Sequence, residues 1–221
     1  MGKWNSLDAQ DLAVNHLYVG GKSIGDEPIQ SLLPVGNSGG FRKATRKGRK
    51  LPYLIALFTT RKVSEWPDSI NQLVGRVEYW GDNRDARLDM HDTHLGGNKL
   101  LRDCFRLLRI GDRAAIPPFF LFEDAGSSRD VFFRGLLVPG SNEASETDHL
   151  EVVDAERDGI RFQNYRATFT ILDVPTISRH WISELRSGAQ PSTYAPAPFT
   201  SWISGAAPDP WTRGQGEQHG R

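Results

Sequence analysis

The order of segments predicts an α+β protein: one main mixed or antiparallel sheet curled on itself, with short helices at its flanks. Three observations carry this expectation. Strand-like runs outnumber helical ones, and most of them follow one another after a single strong helix. That helix opens at Gly96-Gly97, repeats apolar residues at Leu100, Leu101, Cys104, Phe105 and Leu108, and stops at Gly111. The composition, with 22 glycines, 13 prolines, 38% apolar and 24% charged residues in a 221-residue chain, suits a loop-rich β protein better than a helical bundle.

Taken in order, residues 12–19 (LAVNHLYV) alternate well enough for an opening strand, ended by Gly20-Gly21. Asp26 is expected to cap a short helical turn that begins at Pro28, where a missing N–H costs nothing. A loop, VGNSGGFRKATRKGRK, runs to Lys50. Residues 51–60 (LPYLIALFTT) form a near-continuous apolar run, expected as a buried central strand. Trp66-Pro67-Asp68 marks a turn, and residues 74–80 form a strand that ends in Tyr79-Trp80 before Gly81-Asp82-Asn83. Beyond the helix, strands are expected at 118–123, 130–138 and 149–155. A longer one at 160–174 turns Phe162, Tyr165, Phe169 and Ile171 toward a core until Pro175 ends it. Residues 178–187 read as a helix with Ser178 as N-cap and Gly188 as stop. The domain is therefore expected to occupy residues 1–189, and the Pro-, Gly- and Ser-rich segment 190–221 reads as a tail or linker.

The formal net charge is zero, so any attraction to nucleic acid must come from local charge. A single cysteine, Cys104, excludes an intrachain disulfide framework and a cysteine-based zinc site, and makes a reducing cytoplasm the natural setting. The N-terminal sequence has no apolar leader core, and no run approaches the length of a membrane span.

Three clusters carry candidate chemistry. The first is Tyr79-Trp80-Gly81-Asp82-Asn83: aromatic faces beside a carboxylate can hold a flat, hydrogen-bonding ring, and Asp82 can accept from the exocyclic amine of cytosine. Trp66 supplies a further ring. The same residues also make an ordinary tight turn with core aromatics. The second is the basic run 42–50 (Arg42, Lys43, Arg46, Lys47, Arg49, Lys50), which suits phosphates or, equally, a solvated loop. The third is His91-Asp92 with His94. These are metal-ligand residue types, but no matching pair follows at helix spacing to complete a hydrolase or nuclease site, and a hydrogen-bonded polar corner competes with that reading. No phosphate-binding loop, nucleophile elbow or dinucleotide fingerprint is present.

The ordered set LLPVGNSGGFR (32–42), Trp66-Pro67-Asp68, YWGDN (79–83), HDT with GGNKLLRD (91–103), IPPFFLFE (116–123), RDVFFRGLLVPG (129–140) and RFQNYRATFTILDV (161–174) resembles one family. It is similar to the N-terminal domain of AspBHI/MspJI-type, modification-dependent restriction endonucleases, over most of residues 10–187. The resemblance implies an SRA-like crescent or partial barrel with flanking short helices. It also implies binding of double-stranded DNA that carries 5-methylcytosine, with the modified base flipped into a pocket. On that reading Asp82 holds the polar edge of the base, and Trp66 with either Tyr79 or Trp80 stacks on it, since neighbouring strand residues face opposite ways. Asn83 completes the corner. Arg161 and Arg166 join the basic run as backbone contacts. Family members carry a nuclease domain after the reader, so cleavage is expected from such a domain in cis or in trans, together with any divalent metal; no cofactor is expected in this chain, and assembly into oligomers is open to it.

Overall fold

The computed structural model describes residues 4–212 apart from 24, 63–66, 144–148, 158 and 189–191. The strands are β1 (Leu12–Ala13), β2 (Leu17–Tyr18), β3 (Phe41–Ala44), β4 (Leu54–Thr59), β5 (Ser69–Asn71), β6 (Arg76–Trp80), β7 (Phe119–Asp124), β8 (Val131–Pro139), β9 (Leu150–Arg157), β10 (Ile160–Ile171) and β11 (Thr176–Ile177). The helices are α1 (Pro28–Leu32), α2 (Gly97–Arg109), α3 (Arg179–Ser187) and α4 (Ala197–Ile203).

Nine strands form one mixed sheet in the order β3-β4-β7-β8-β10-β6-β5, with β2 added to β8 and β9 to β10. Only β4 and β7 run parallel. A parallel pair needs a long crossover, and here the connection from Thr59 to Phe119 carries β5, β6 and α2. The twelve-residue β10 is the hinge of the sheet. Its first half pairs with β9, and its second half lies between β8 and β6, with Phe169 opposite both Pro139 and Val77.

The sheet does not close, but it curls until its two sides meet. Tyr79 on β6 donates its hydroxyl across the gap to the carbonyls of Phe58 (2.9 Å) on β4 and Gly40 (3.1 Å) just before β3. Three strands separate β4 from β6 along the sheet, so this contact is a seam and not a ladder. A bulge between Leu121 and Phe122 helps the curvature.

The apolar stripe of α2 buries Leu100, Leu101, Cys104 and Phe105, and Phe105 meets Phe169 edge-on at 5.5 Å. Burial pushes the Cys104 thiol up to about 12, so it is inert packing. Ser178 caps α3 through the His180 amide (3.2 Å), as expected, and Gly188 ends it in the left-handed conformation (φ 78°).

Four expectations are corrected. The opening strand breaks into β1 and β2 because Asn15 adopts φ 60° between them; β1 pairs with β11 and β2 with β8. Part of the basic loop is strand: β3 pairs antiparallel with β4. Asp26 accepts from the Ser23 amide (2.8 Å), and Glu27 takes the N-cap position of α1 without a side-chain cap bond. Residues 192–212 pack on the core, where Phe199, Trp202 and Trp211 are buried and the Trp211 amide donates to Ile171 (2.8 Å). Proline and glycine content suggested a linker there, yet three large aromatic rings supply enough apolar area to anchor the segment. Residues 213–221 lie outside the described residues.

Candidate nucleic-acid interface

The corner after β6 is built around Gly81. A Cβ there would sit 1.9 Å from Asn98 Oδ1 and 2.3 Å from Asn164 Oδ1. Both asparagines are fully buried and engaged. Asn98 accepts from the Asp82 amide (3.0 Å) and donates to Met90 O (2.8 Å) and Asn164 Oδ1 (3.0 Å). Asn164 donates to the carbonyls of Gly81 (3.1 Å) and Asn83 (3.2 Å). The turn is thereby tied to α2 on one side and β10 on the other.

The Asp82 carboxylate sits on the N-terminus of α2. Its Oδ2 accepts from the Gly97 amide (2.8 Å) and its Oδ1 from the Asn98 amide (2.9 Å), where the helix dipole favours an anion. Gly97 permits this approach, since a Cβ there would meet Asp82 Cγ at 2.7 Å. Both oxygens are thus occupied with helix capping. Asp82→Ala should therefore cost about 2 kcal/mol of stability, a fall of roughly 4–8 °C in Tm, read by thermal unfolding.

Asp82 nevertheless borders a pocket of ≈380 Å³ set in the seam, within the ~300–1,000 Å³ range of small-molecule sites. Phe41, Arg42, Phe58, Thr59 and Arg61 line it from the β3–β4 side, and Asp68, Tyr79, Trp80, Asp82 and Arg84 from the β5–β6 side. Register explains Asp68: Ser69 pairs with Glu78, so one step further brings Asp68 abreast of Tyr79. Its Oδ1 accepts from the Trp80 amide (2.8 Å), and Thr59 lines the same pocket from across the seam. Burial raises its pKa to about 6, against the opposing pull of Thr59, the Trp80 N–H and the Arg84 charge.

Tyr79 is buried in the main core, edge-on to Phe41 at 5.2 Å, and burial holds its phenol well above the ordinary range. Trp80 packs instead toward Ala86, Ala155 and Phe162, as alternation along β6 requires. Asn83 is drawn away and donates to Gln163 O (2.8 Å). Trp66 lies outside the described residues.

The basic run divides. Arg42 is buried in a bidentate pair with Glu27 and lies over the Phe58 ring at 5.0 Å. Lys43 donates to Leu95 O (2.9 Å), and Arg46 covers Tyr53 and donates to Leu185 O (3.0 Å). Lys47, Arg49 and Lys50 are exposed. Arg161 pairs with Glu156 and Arg166 with Glu151.

The third cluster does not converge. His91 lies between Asp89 and the Tyr165 hydroxyl, each at 3.1 Å, Asp92 pairs with Lys99, and His94 is exposed. Among the described residues no three His, Cys, Asp or Glu side chains gather as a metal site, and no helix is long and apolar enough to cross a membrane. Sequence reasoning named Asp68 only as a turn residue and passed over Thr59 and Arg84. Their meeting in one pocket has no local sequence signal.

The family model for the restriction endonuclease AspBHI N-terminal region matches residues 12–212. No curated protein matches the sequence. Among solved structures, the DNA recognition domain of the cytosine modification-dependent restriction endonuclease LpnPI is 36% identical (TM-score 0.87), over 98% of this chain and 99% of that one. The DNA modification-dependent restriction endonuclease AspBHI is also 36% identical (TM-score 0.87), over 93% and 96%. The MspJI restriction endonuclease in complex with a 27-mer oligonucleotide, at 22% identity and TM-score 0.64 over 88% of this chain and 51% of that one, shares the fold. With the match running from the first strand through the buried Trp211, the chain belongs to the family of AspBHI-type N-terminal domains of restriction endonucleases, as a homologue of DNA recognition domains of modification-dependent enzymes.

Proposed function

We propose that this chain reads modified cytosine for a restriction system. It binds duplex DNA and takes a C5-modified cytosine, swung out of the helix, into the seam between β4 and β6. A nuclease domain in cis or in trans performs cleavage, and any divalent metal belongs to that domain. The observation that carries this reading is the half-buried Asp68 lining an aromatic-walled pocket of ≈380 Å³ in the seam.

Extruding a base costs a few kcal/mol. The seam repays it with ring burial beside Phe41 and Phe58 and with hydrogen bonds to the Watson–Crick edge. A neutral Asp68 accepts from the N4 amine of cytosine and donates to N3; thymine presents the opposite pattern at both atoms. A C5 methyl placed in an apolar pocket contributes about 1–3 kcal/mol. Matched duplexes with and without 5-methylcytosine, titrated at one salt concentration, should therefore differ in Kd by about tenfold to a hundredfold. Equal affinities contradict the reading.

The same pairing sets a pH dependence. Burial places the Asp68 pKa at about 6. Below that pH the free pocket already holds the proton that reaches N3, and above it the proton must be taken up on binding. Affinity should be flat below about pH 6 and fall toward pH 8 by up to about tenfold per unit. A flat profile through pH 8 contradicts a protonated Asp68 in the complex.

A further inference from the structure

The sequence places the DNA-backbone cations in the 42–50 run, but Arg42, Lys43 and Arg46 are engaged within the protein. The exposed face of α2 offers a different surface. Lys99, Arg102, Arg106 and Arg109 recur there at spacings of three, four and three residues and form one stripe. Lys99 shares Asp92 and Arg102 shares Asp103.

Beside the stripe lies a cleft of ≈240 Å³, with Arg102 and Arg109 on the helix side and His149, Leu150, Val152 and Tyr165 on the sheet side. Among the described residues no carboxylate lines it. The charges of both arginines act on the Tyr165 hydroxyl, opposing the burial that raises its pKa. His149 is buried, and its Nδ1 has no hydrogen-bond partner among the described residues. Its Nε2 faces Ser141, 3.3 Å from the amide and 3.1 Å from the carbonyl. The Arg109 guanidinium, the Tyr165 hydroxyl and, in exchange for Asp103, the Arg102 guanidinium are donors suited to a phosphodiester oxyanion.

We infer that this cleft and the α2 stripe seat the sugar-phosphate backbone of the duplex whose modified base enters the seam; the assignment rests on the reading under Proposed function. The helix starts at the seam, where Asp82 caps it, and its thirteen residues extend roughly 20 Å, about six base-pair steps. Base capture and backbone contact thus share one rigid element.

The test compares Arg102→Gln/Arg109→Gln with Lys47→Gln/Arg49→Gln/Lys50→Gln. Both are titrated against methylated and unmethylated duplexes of one sequence over a range of salt. The helix variant should weaken both duplexes by about tenfold and lower the salt slope by about 0.9 per phosphate lost, with the methyl preference unchanged. Unchanged affinity and slope in the helix variant, at intact Tm, overturn the assignment, as does a loop variant that carries the whole effect. If the native chain shows no methyl preference but the helix variant still loses affinity and slope, the base reading fails and the backbone seat stands.

Discussion

Replacing Asp68 with alanine should weaken binding of methylated duplex by about tenfold to a hundredfold while leaving the salt dependence of binding intact. The carboxyl lies in the seam pocket with one oxygen on the Trp80 amide, and burial raises its pKa to about 6. Loss of a two-point contact to a base edge is worth about 1–3 kcal/mol, a tenfold to hundredfold fall in affinity for the flipped-base complex. Phosphate contacts elsewhere are untouched, so nonspecific affinity and its salt slope persist. Asp68→Asn sharpens the result. It presents the same acceptor and donor edge as the neutral carboxyl and keeps an acceptor for the Trp80 amide, so it should fold normally, hold its affinity for methylated duplex and lose the fall in affinity above about pH 6. An Asp68→Asn protein that bound as weakly as Asp68→Ala would contradict a neutral Asp68 in the complex.

Gly81→Ala is expected to be the most damaging small substitution in the chain, at ~3 kcal/mol or more by chemical denaturation. The backbone at Gly81 does not require glycine for its φ angle, because Gly81 is not among the residues with positive φ. The requirement is space: the added methyl would occupy the position of Asn98 Oδ1 at 1.9 Å and Asn164 Oδ1 at 2.3 Å. Neither amide can retreat without breaking buried hydrogen bonds to Asp82, Met90 and the Gly81 and Asn83 carbonyls. Because the corner joins β6, α2 and β10, the loss should appear as global destabilisation and not as a local change in affinity. A variant of native stability would contradict the packing described at this corner.

Periodicity made α2 legible in the sequence almost to the residue, because an amphipathic helix repeats its own signal every turn. The strands β4, β6, β7, β8, β9 and β10 were legible for a similar reason, apolar runs bounded by turn residues, whereas the three-residue β5 carries no such run. What was not legible were partners. Asp82 has the residue type of a base-edge acceptor, but only the approach of Gly97 and Asn98 shows that it caps a helix. Arg42 belongs by composition to a phosphate-binding run, yet Glu27, fifteen residues upstream, takes it inside. Asp68 emerged only once β5 paired beside Tyr79 on β6 and the curl of the sheet brought Thr59 to the same pocket. Segment 192–212 shows the limit of composition: its prolines point to a linker, and its aromatic rings dock it.

The most direct measurement of the central claim is the structure of this chain bound to a duplex carrying one 5-methylcytosine. The account predicts the methylated ring outside the helix and in the seam between β4 and β6, its N4 within hydrogen-bonding distance of Asp68. A duplex bound with every cytosine stacked and the seam vacant would contradict it.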